Sequence, residues 1–431
     1  MISLRQGFFL FLALVLLAGC AVNPVTGRNE LALMDVPVEK EIEMGRQAYG
    51  QALQSMGNTY PDVSLNAYID KVGQRVARYG HRPELKYSFK VVNDSSPNAF
   101  ALPGGFVAIT RGLLINLENE AQLAAVLGHE VGHVTARHSV QGMQRGTLLG
   151  ATVSILGGIA GGYGYGDLAT KVGGVTTNLI DKSYSRDQES EADHLGIDYM
   201  VKAGYSPQGA IELQEIFYRK IEGGANPDWL SGLFRSHPFS KERLEANRLY
   251  VKTRYASNRS IDGLDKSSYQ KAIASLLKTK EAYRLYDHAR QLEAKQKIEP
   301  AIETYHQAIL LAPDQGLLLS GLGMAYLRNE DLIPAKRYLL KAVRTDDGYY
   351  QSQMGLGYIY LQDKNAQKAA KHLDASLKLM PTLQAAFLLA EAEESLGNFD
   401  KARELYHAVA KADPSSKLGQ VASTRLRTVG Q

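Results

Sequence analysis

The chain has 431 residues, a formal net charge of +4 and one cysteine. Charge so near balance argues against a polyanionic partner such as nucleic acid, and a lone cysteine leaves no internal disulfide and no cysteine-ligated metal site. The length is too great for one typical domain and fits two or three.

Residues 1–19 read as a signal segment. Arg5 supplies a positive start, Phe8 to Leu17 an apolar core too short for a comfortable membrane span, and Leu17-Ala18-Gly19 leads to Cys20. The pattern is similar to bacterial lipoprotein signals, which implies that Cys20 is lipidated and becomes the mature N-terminus. Ala21 after it is, by the same resemblance, the outer-membrane sorting choice, and the anchor is lipid alone. Removing Arg5 with the segment lowers the formal charge of +4 by one and leaves the balance near neutral.

Further along, Phe106 to Thr110 follow Pro103-Gly104-Gly105 and predict a short strand after a turn. His129-Glu130-Val131-Gly132-His133 comes next. Leu123, Val126, Leu127, Val131 and Val134 recur at three- and four-residue steps, which predicts a helix starting near 118–120 with a buried stripe. Four residues on a helix turn the chain through about 400°, so the imidazoles of His129 and His133 stand on one face and can grip one metal ion. Two neutral ring nitrogens plus a carboxylate suit zinc and leave a fourth tetrahedral position open. Glu130 stands beside that position, where a carboxylate can take a proton from an attacking water. His138 falls off the ligand face by about 140° and reads as structural.

Residues 147–162 form an apolar run too short and too broken by glycines to cross a membrane, and a glycine-rich stretch continues beyond them to 178. They read as a mobile cover over the site or as a packed hairpin. Beyond them, Ser185 to Asp193 offers the missing ligand. Glu189 and Asp193 are four apart on a predicted helix, so one carboxylate can bind zinc while the other accepts a hydrogen bond from a ligating imidazole. Spacing alone leaves Glu191 as a rival ligand. His237, before Pro238 and a predicted helix holding Arg243, reads by itself as a surface or packing residue.

These residues resemble the HtpX and CAAX-prenyl-protease type of zinc metallopeptidases. The likeness runs through Asn98 to Gly105, HEVGHVTARH at 129–138, SRDQESEAD at 185–193 and SHPFSKERL at 236–244. It implies Glu189 as third ligand, Asp193 as its supporting residue, and strand 106–110 as a sheet edge to which an extended substrate adds. The shared His-Pro with a nearby arginine implies one of two roles for His237, donor to an oxyanion or occupant of the open metal position that keeps the enzyme latent. Periplasmic BepA-like members with helical repeats behind the peptidase match best in organisation. They imply an enzyme at the periplasmic face of the outer membrane that degrades misassembled outer-membrane proteins and meets their assembly machinery through its repeats.

The repeats show as self-similarity. Ala289, Gly323, Gly357 and Ala390 align, as do Ala301, Ala335, Ala369 and Ala402, at a spacing of 34 residues that slips to 33 at the last step. That is the tetratricopeptide period of paired antiparallel helices. The expected architecture is therefore α+β. A mainly helical zincin-type metallopeptidase domain with a small sheet spans 20–256, a linker 257–281, four repeats of an all-α solenoid 282–416, and a capping helix or tail 417–431. One zinc ion per chain, protein substrates and an endopeptidase activity follow from this reading. The competing one is a scaffold or chaperone acting through the repeats with a silenced metal site, for which Glu130 would be unnecessary.

Overall fold

The computed structural model of the chain describes residues 20–23, 25–27, 29–31, 36–148, 183–222, 233, 236–256 and 265–430. The expected signal segment, nearly all of the glycine-rich stretch 147–178 and residues 257–264 of the expected linker lie outside them.

A two-stranded ribbon, β1 (Cys20–Val22) against β2 (Asn29–Leu31), precedes α1 (Val38–Ser55) and α2 (Val63–Ala77). Then come β3 (Ser88–Val92), β4 (Ala99–Leu102), β5 (Phe106–Thr110) and the short α3 (Arg111–Leu114). The sheet order is β3-β5-β4, with β5 parallel to β3 and antiparallel to β4. Strand 106–110 is therefore central, which corrects the expectation of an edge. Gly104 and Gly105, at φ 79° and 94°, fold β4 back onto β5. The run Val107-Ala108-Ile109 is buried on both faces, as a central strand requires. Among the described residues β3 and β4 are the edges instead.

Helix α1 covers one face of the sheet, where Met44, Ala48, Tyr49 and Ala52 meet Phe100, Leu102 and Ala108. On the other face Ile69, Val72 and Val76 of α2 share a core with Phe89, Val91, Val107 and Ile109 and with Leu123 and Leu127 of α4 (Glu120–Thr135). Helices α5 (His138–Leu148), α6 (Arg186–Lys202), α7 (Gln208–Glu222) and α8 (Lys241–Arg254) complete this part.

The rest is helical. Residues 266–281 fall within the expected linker, yet they form α9 (Lys266–Ala272) and the start of α10 (Ala274–Ala294). Their apolar residues have a partner: Tyr269 is fully buried and donates to the Leu114 carbonyl at 2.5 Å. The antiparallel pairs are α10 with α11 (Ile298–Leu311), α12 (Gly316–Arg328) with α13 (Leu332–Thr345), α14 (Tyr350–Gln362) with α15 (Ala366–Leu379), and α16 (Leu383–Ser395) with α17 (Phe399–Ala412). A last helix, α18 (Lys417–Thr428), packs on α17. The aligned small residues sit where helices meet: Ala301, Ala335, Ala369 and Ala402 are fully buried. The first three pairs touch the part of the chain that holds the sheet. Tyr283 stacks under the Arg111 guanidinium at 3.8 Å and accepts from Asn93 at 3.0 Å, and Gln54 donates to the Gly348 carbonyl at 2.6 Å. Part of the repeat surface is thus covered by the chain's own residues. Among the described residues no helix is long and apolar enough to cross a membrane.

Candidate metal centre

Helix α4 starts at Asn119, whose side chain accepts from the Gln122 amide at 2.9 Å. The sequence predicts a buried stripe, but every residue of α4 except His129 is buried. The cause is its position, with α2 and the sheet on one side and α6 and α7 on the other. Helix α6 approaches closely because the seam is small: a Cβ on Gly132 would stand 2.8 Å from the Ala192 carbonyl oxygen, and one on Gly196 2.6 Å from the His129 nitrogen. That seam brings the acids of α6 to the histidines of α4. Ser185 and Gln188 cap α6 reciprocally, leaving Glu189 in the first turn, where the helix dipole favours a carboxylate.

Four side chains converge. One ligand atom each from His129, His133, Glu189 and His237 can be chosen so that all lie within 4.8 Å of one another. His129 Nε2 is 3.0 Å from His133 Nε2 and 3.2 Å from His237 Nδ1, and Glu189 Oε1 is 3.3 Å from His133 Nε2 and 3.0 Å from His237 Nδ1. Asp193 takes the place expected for a supporting acid, with Oδ1 2.8 Å from His129 Nδ1. Glu130 lies alongside, its Oε1 3.6 Å from His237 Nε2. Its Oε2 is buried and has no hydrogen-bond partner among the described residues.

Glu191 is not part of the cluster. Its Oε2 is 3.0 Å from His138 Nε2. His138 does reach the centre, with Nδ1 2.9 Å from His133 Nδ1. The 140° offset in the sequence argument assumed one continuous helix. Helix α4 instead ends at Thr135, and Arg137, at φ 59° and tied to the Val36 carbonyl at 2.7 Å, turns the chain so that His138 folds back over it. Cys20 opens the β1 ribbon.

Three further residues have no clear signature in the sequence. Arg243 donates to Asp193 through Nε at 2.5 Å and Nη2 at 2.7 Å, and through Nη1 to Glu189 Oε2. Asn247, one turn later on α8, donates to Asp193 Oδ2 at 2.7 Å. Tyr184 stacks on His133 with ring centres 3.9 Å apart, while its hydroxyl and that of Ser139 are 3.0 Å apart. The histidine-proline followed by an arginine at 237–243 was the only hint of Arg243.

The electrostatics follow from burial and from these partners. Burial drives the His133 imidazole well below its ordinary value, against the pull of Glu189, so it stays neutral. Burial pushes the Glu130 carboxyl up, with His237 and His129 opposing. For Glu189 burial acts upward too, but His237 and Arg243 outweigh it and hold the carboxyl well below the usual range. Asp193 is likewise held low, by Arg243 above all among its partners. Burial alone would lower His237, yet Glu189 and Glu130 bring it up to about 9. An apolar cleft lined by Leu113, Val126, Leu213 and Phe217 opens beside Glu130 and also includes Ala99 of the edge strand.

Residues 64–250 match the sequence profile described as Peptidase family M48, and residues 335–383 and 377–417 match that of a tetratricopeptide repeat. The chain thus carries an M48 peptidase domain followed by tetratricopeptide repeats. The M48 domain and the repeats behind it are matched together by the beta-barrel assembly-enhancing protease of Yersinia pestis, 24% identical over 434 residues, covering 85% of this chain and 87% of that protein. The protein of the same name from Escherichia coli K12 is 30% identical over 214 residues, 48% of this chain and 43% of its own length. The mitochondrial metalloendopeptidase OMA1 of Schizosaccharomyces pombe is 29% identical over 227 residues, 51% of this chain and 63% of its own. This chain thus spans less than half the length of the E. coli relative and under two thirds of the yeast one. The M48 family implies a metal, usually zinc, and the donor set fits. Two imidazole nitrogens and a carboxylate oxygen converge, with both histidines presenting Nε2, and a buried carboxylate oxygen of Glu130 is left unpartnered next to them.

Proposed function

We propose that the chain is a zinc-dependent endopeptidase of the bacterial envelope, lipid-anchored through Cys20 at the periplasmic face of the outer membrane. The observation that carries this is the convergence of His129, His133 and Glu189 beside the unpartnered oxygen of Glu130. His129, His133 and Glu189 would hold the zinc ion, which when bound would supply water of lowered pKa and a Lewis acid for the peptide carbonyl. Glu130, its carboxyl pushed up by burial, would take a proton from the attacking water and return it to the leaving amine. Asp193 and Arg243 hold the His129 ring and the Glu189 carboxylate in place. An extended substrate lies along β4, with a side chain in the apolar cleft that Ala99 shares with Glu130.

His237 serves as a latch. Its Nδ1 is at hydrogen-bond distance from both His129 and Glu189, so its imidazole can fill the fourth ligand position. The substrates are misfolded or misassembled outer-membrane and periplasmic proteins, delivered by the repeats, a class of module that binds proteins. Support for this comes from the relatives named for beta-barrel assembly.

The test is cleavage of an unfolded protein by wild type and by Glu130→Gln, with zinc measured in both. Rate should fall by about 10²- to 10⁴-fold with zinc retained. Equal cleavage by the variant contradicts the proposal, and intact envelope function in cells carrying it favours a scaffold. His237→Ala should raise cleavage. Lost turnover with zinc still bound makes His237 an oxyanion donor instead.

A further inference from the structure

His138 is buried, 1% exposed, with both ring nitrogens engaged. Its Nδ1 faces His133 Nδ1 at 2.9 Å and its Nε2 faces Glu191 Oε2 at 3.0 Å. Two imidazole nitrogens can bond to each other only when one carries the proton and the other a lone pair. A carboxylate only accepts, so His138 donates its Nε2–H to Glu191 and keeps that proton, which leaves Nδ1 of the neutral ring bare. Nδ1 of His138 then accepts from the Nδ1–H of His133. The lone pair of His133 is thereby placed on Nε2, the nitrogen 3.0 Å from His129 Nε2 and 3.3 Å from Glu189 Oε1.

The reversed arrangement fails. With a proton on His138 Nδ1, His133 would have to accept at Nδ1 and carry its own proton on Nε2, where it cannot bind a metal. We infer that His138 and Glu191 form a positioning relay that fixes His133 in its metal-binding tautomer, the counterpart of Asp193 behind His129. Tyr184, stacked on His133 at 3.9 Å, sets the plane of the ring, and the relay sets its proton. The three relay residues come from three elements: His133 from the last turn of α4, His138 from the first position of α5, and Glu191 from α6. The inference rests on the zinc site proposed above.

The experiment is zinc affinity of the full chain, measured by competition with a chromophoric chelator, alongside thermal melting of each zinc-free variant. His138→Leu and Glu191→Leu should each weaken zinc binding by about ten- to a hundredfold. Glu191→Gln keeps an oxygen that accepts from His138, and His138→Asn keeps an acceptor near the old Nδ1. Both should stay within about threefold of wild type by the same reasoning. A merely structural role would move the zinc-free melting temperature and give no rescue by the acceptor-keeping variants. Wild-type zinc affinity in His138→Leu, or Glu191→Gln as weak as Glu191→Leu, overturns the relay. Should His138→Leu fail to fold, the two Glu191 variants decide. Wild-type protein that binds no zinc overturns the peptidase site and the relay together, whereas tight binding that no variant alters removes the relay alone.

Discussion

The metal centre and the repeat array are buried to similar depth by opposite means. At the centre the interior is charged: Glu189, Asp193, Arg243, Glu130 and four histidines converge, and all but Glu130 are held by a partner that must itself be held. In the array the interior is small and apolar, with Ala301, Ala335, Ala369 and Ala402 at the helix crossings and Leu339, Leu373 and Leu405 between them. A packed interior of the second kind loses stability gradually and locally. The first kind fails when one partner is removed, because an unpaired buried charge is far costlier than a missing methyl group.

That contrast can be broken by mutation. Arg243→Ala leaves Asp193 without its main cation and Glu189 with His237 alone, and should cost about 3–5 kcal/mol by urea titration of the zinc-free protein. A loss under about 1 kcal/mol would erase the contrast, being no more than a surface ion pair is worth. Gly357→Val places a Cβ 2.4 Å from Leu373 Cγ and should cost about 1–3 kcal/mol, with zinc content unchanged.

Acid sharpens the difference. Asp193 has a depressed carboxyl, so it adds stability above the unfolded value near 3.9 and loses it as pH falls further. The stability gap between wild type and Asp193→Asn should therefore hold steady from about pH 8 to pH 5 and narrow below about 4. The Gly357→Val gap should show no such trend. Lys336, which reaches Asp363 across two repeats at 2.6 Å in a partly exposed pair, should cost no more than about 1 kcal/mol on replacement by Ala.

The same contrast explains what could be read from the chain. The repeats were legible because each copy restates the pattern, and the peptidase fold class was legible because HEVGH needs a helix and a distant acid. Glu189 and Asp193 were legible as a four-residue pair. What escaped was set by tertiary geometry. Strand 106–110 is central because β4 folds onto one side of it through Gly104-Gly105 while β3 pairs with it in parallel on the other, and no local pattern reveals that second pairing. His138 and Arg243 reach the site through a left-handed residue at 137 and a separate helix, so helical angles from His133 misplace the one and say nothing of the other. Residues 266–281 are helical because Tyr269 finds a pocket on a distant part of the chain.

The most direct measurement is zinc stoichiometry by native mass spectrometry of the purified chain and of Glu189→Ala. One ion per wild-type chain and none in the variant is the expected result. Folded wild-type protein without zinc, or a variant that still carries its ion, would mean that the histidines and the acid at 189 do not form a metal site.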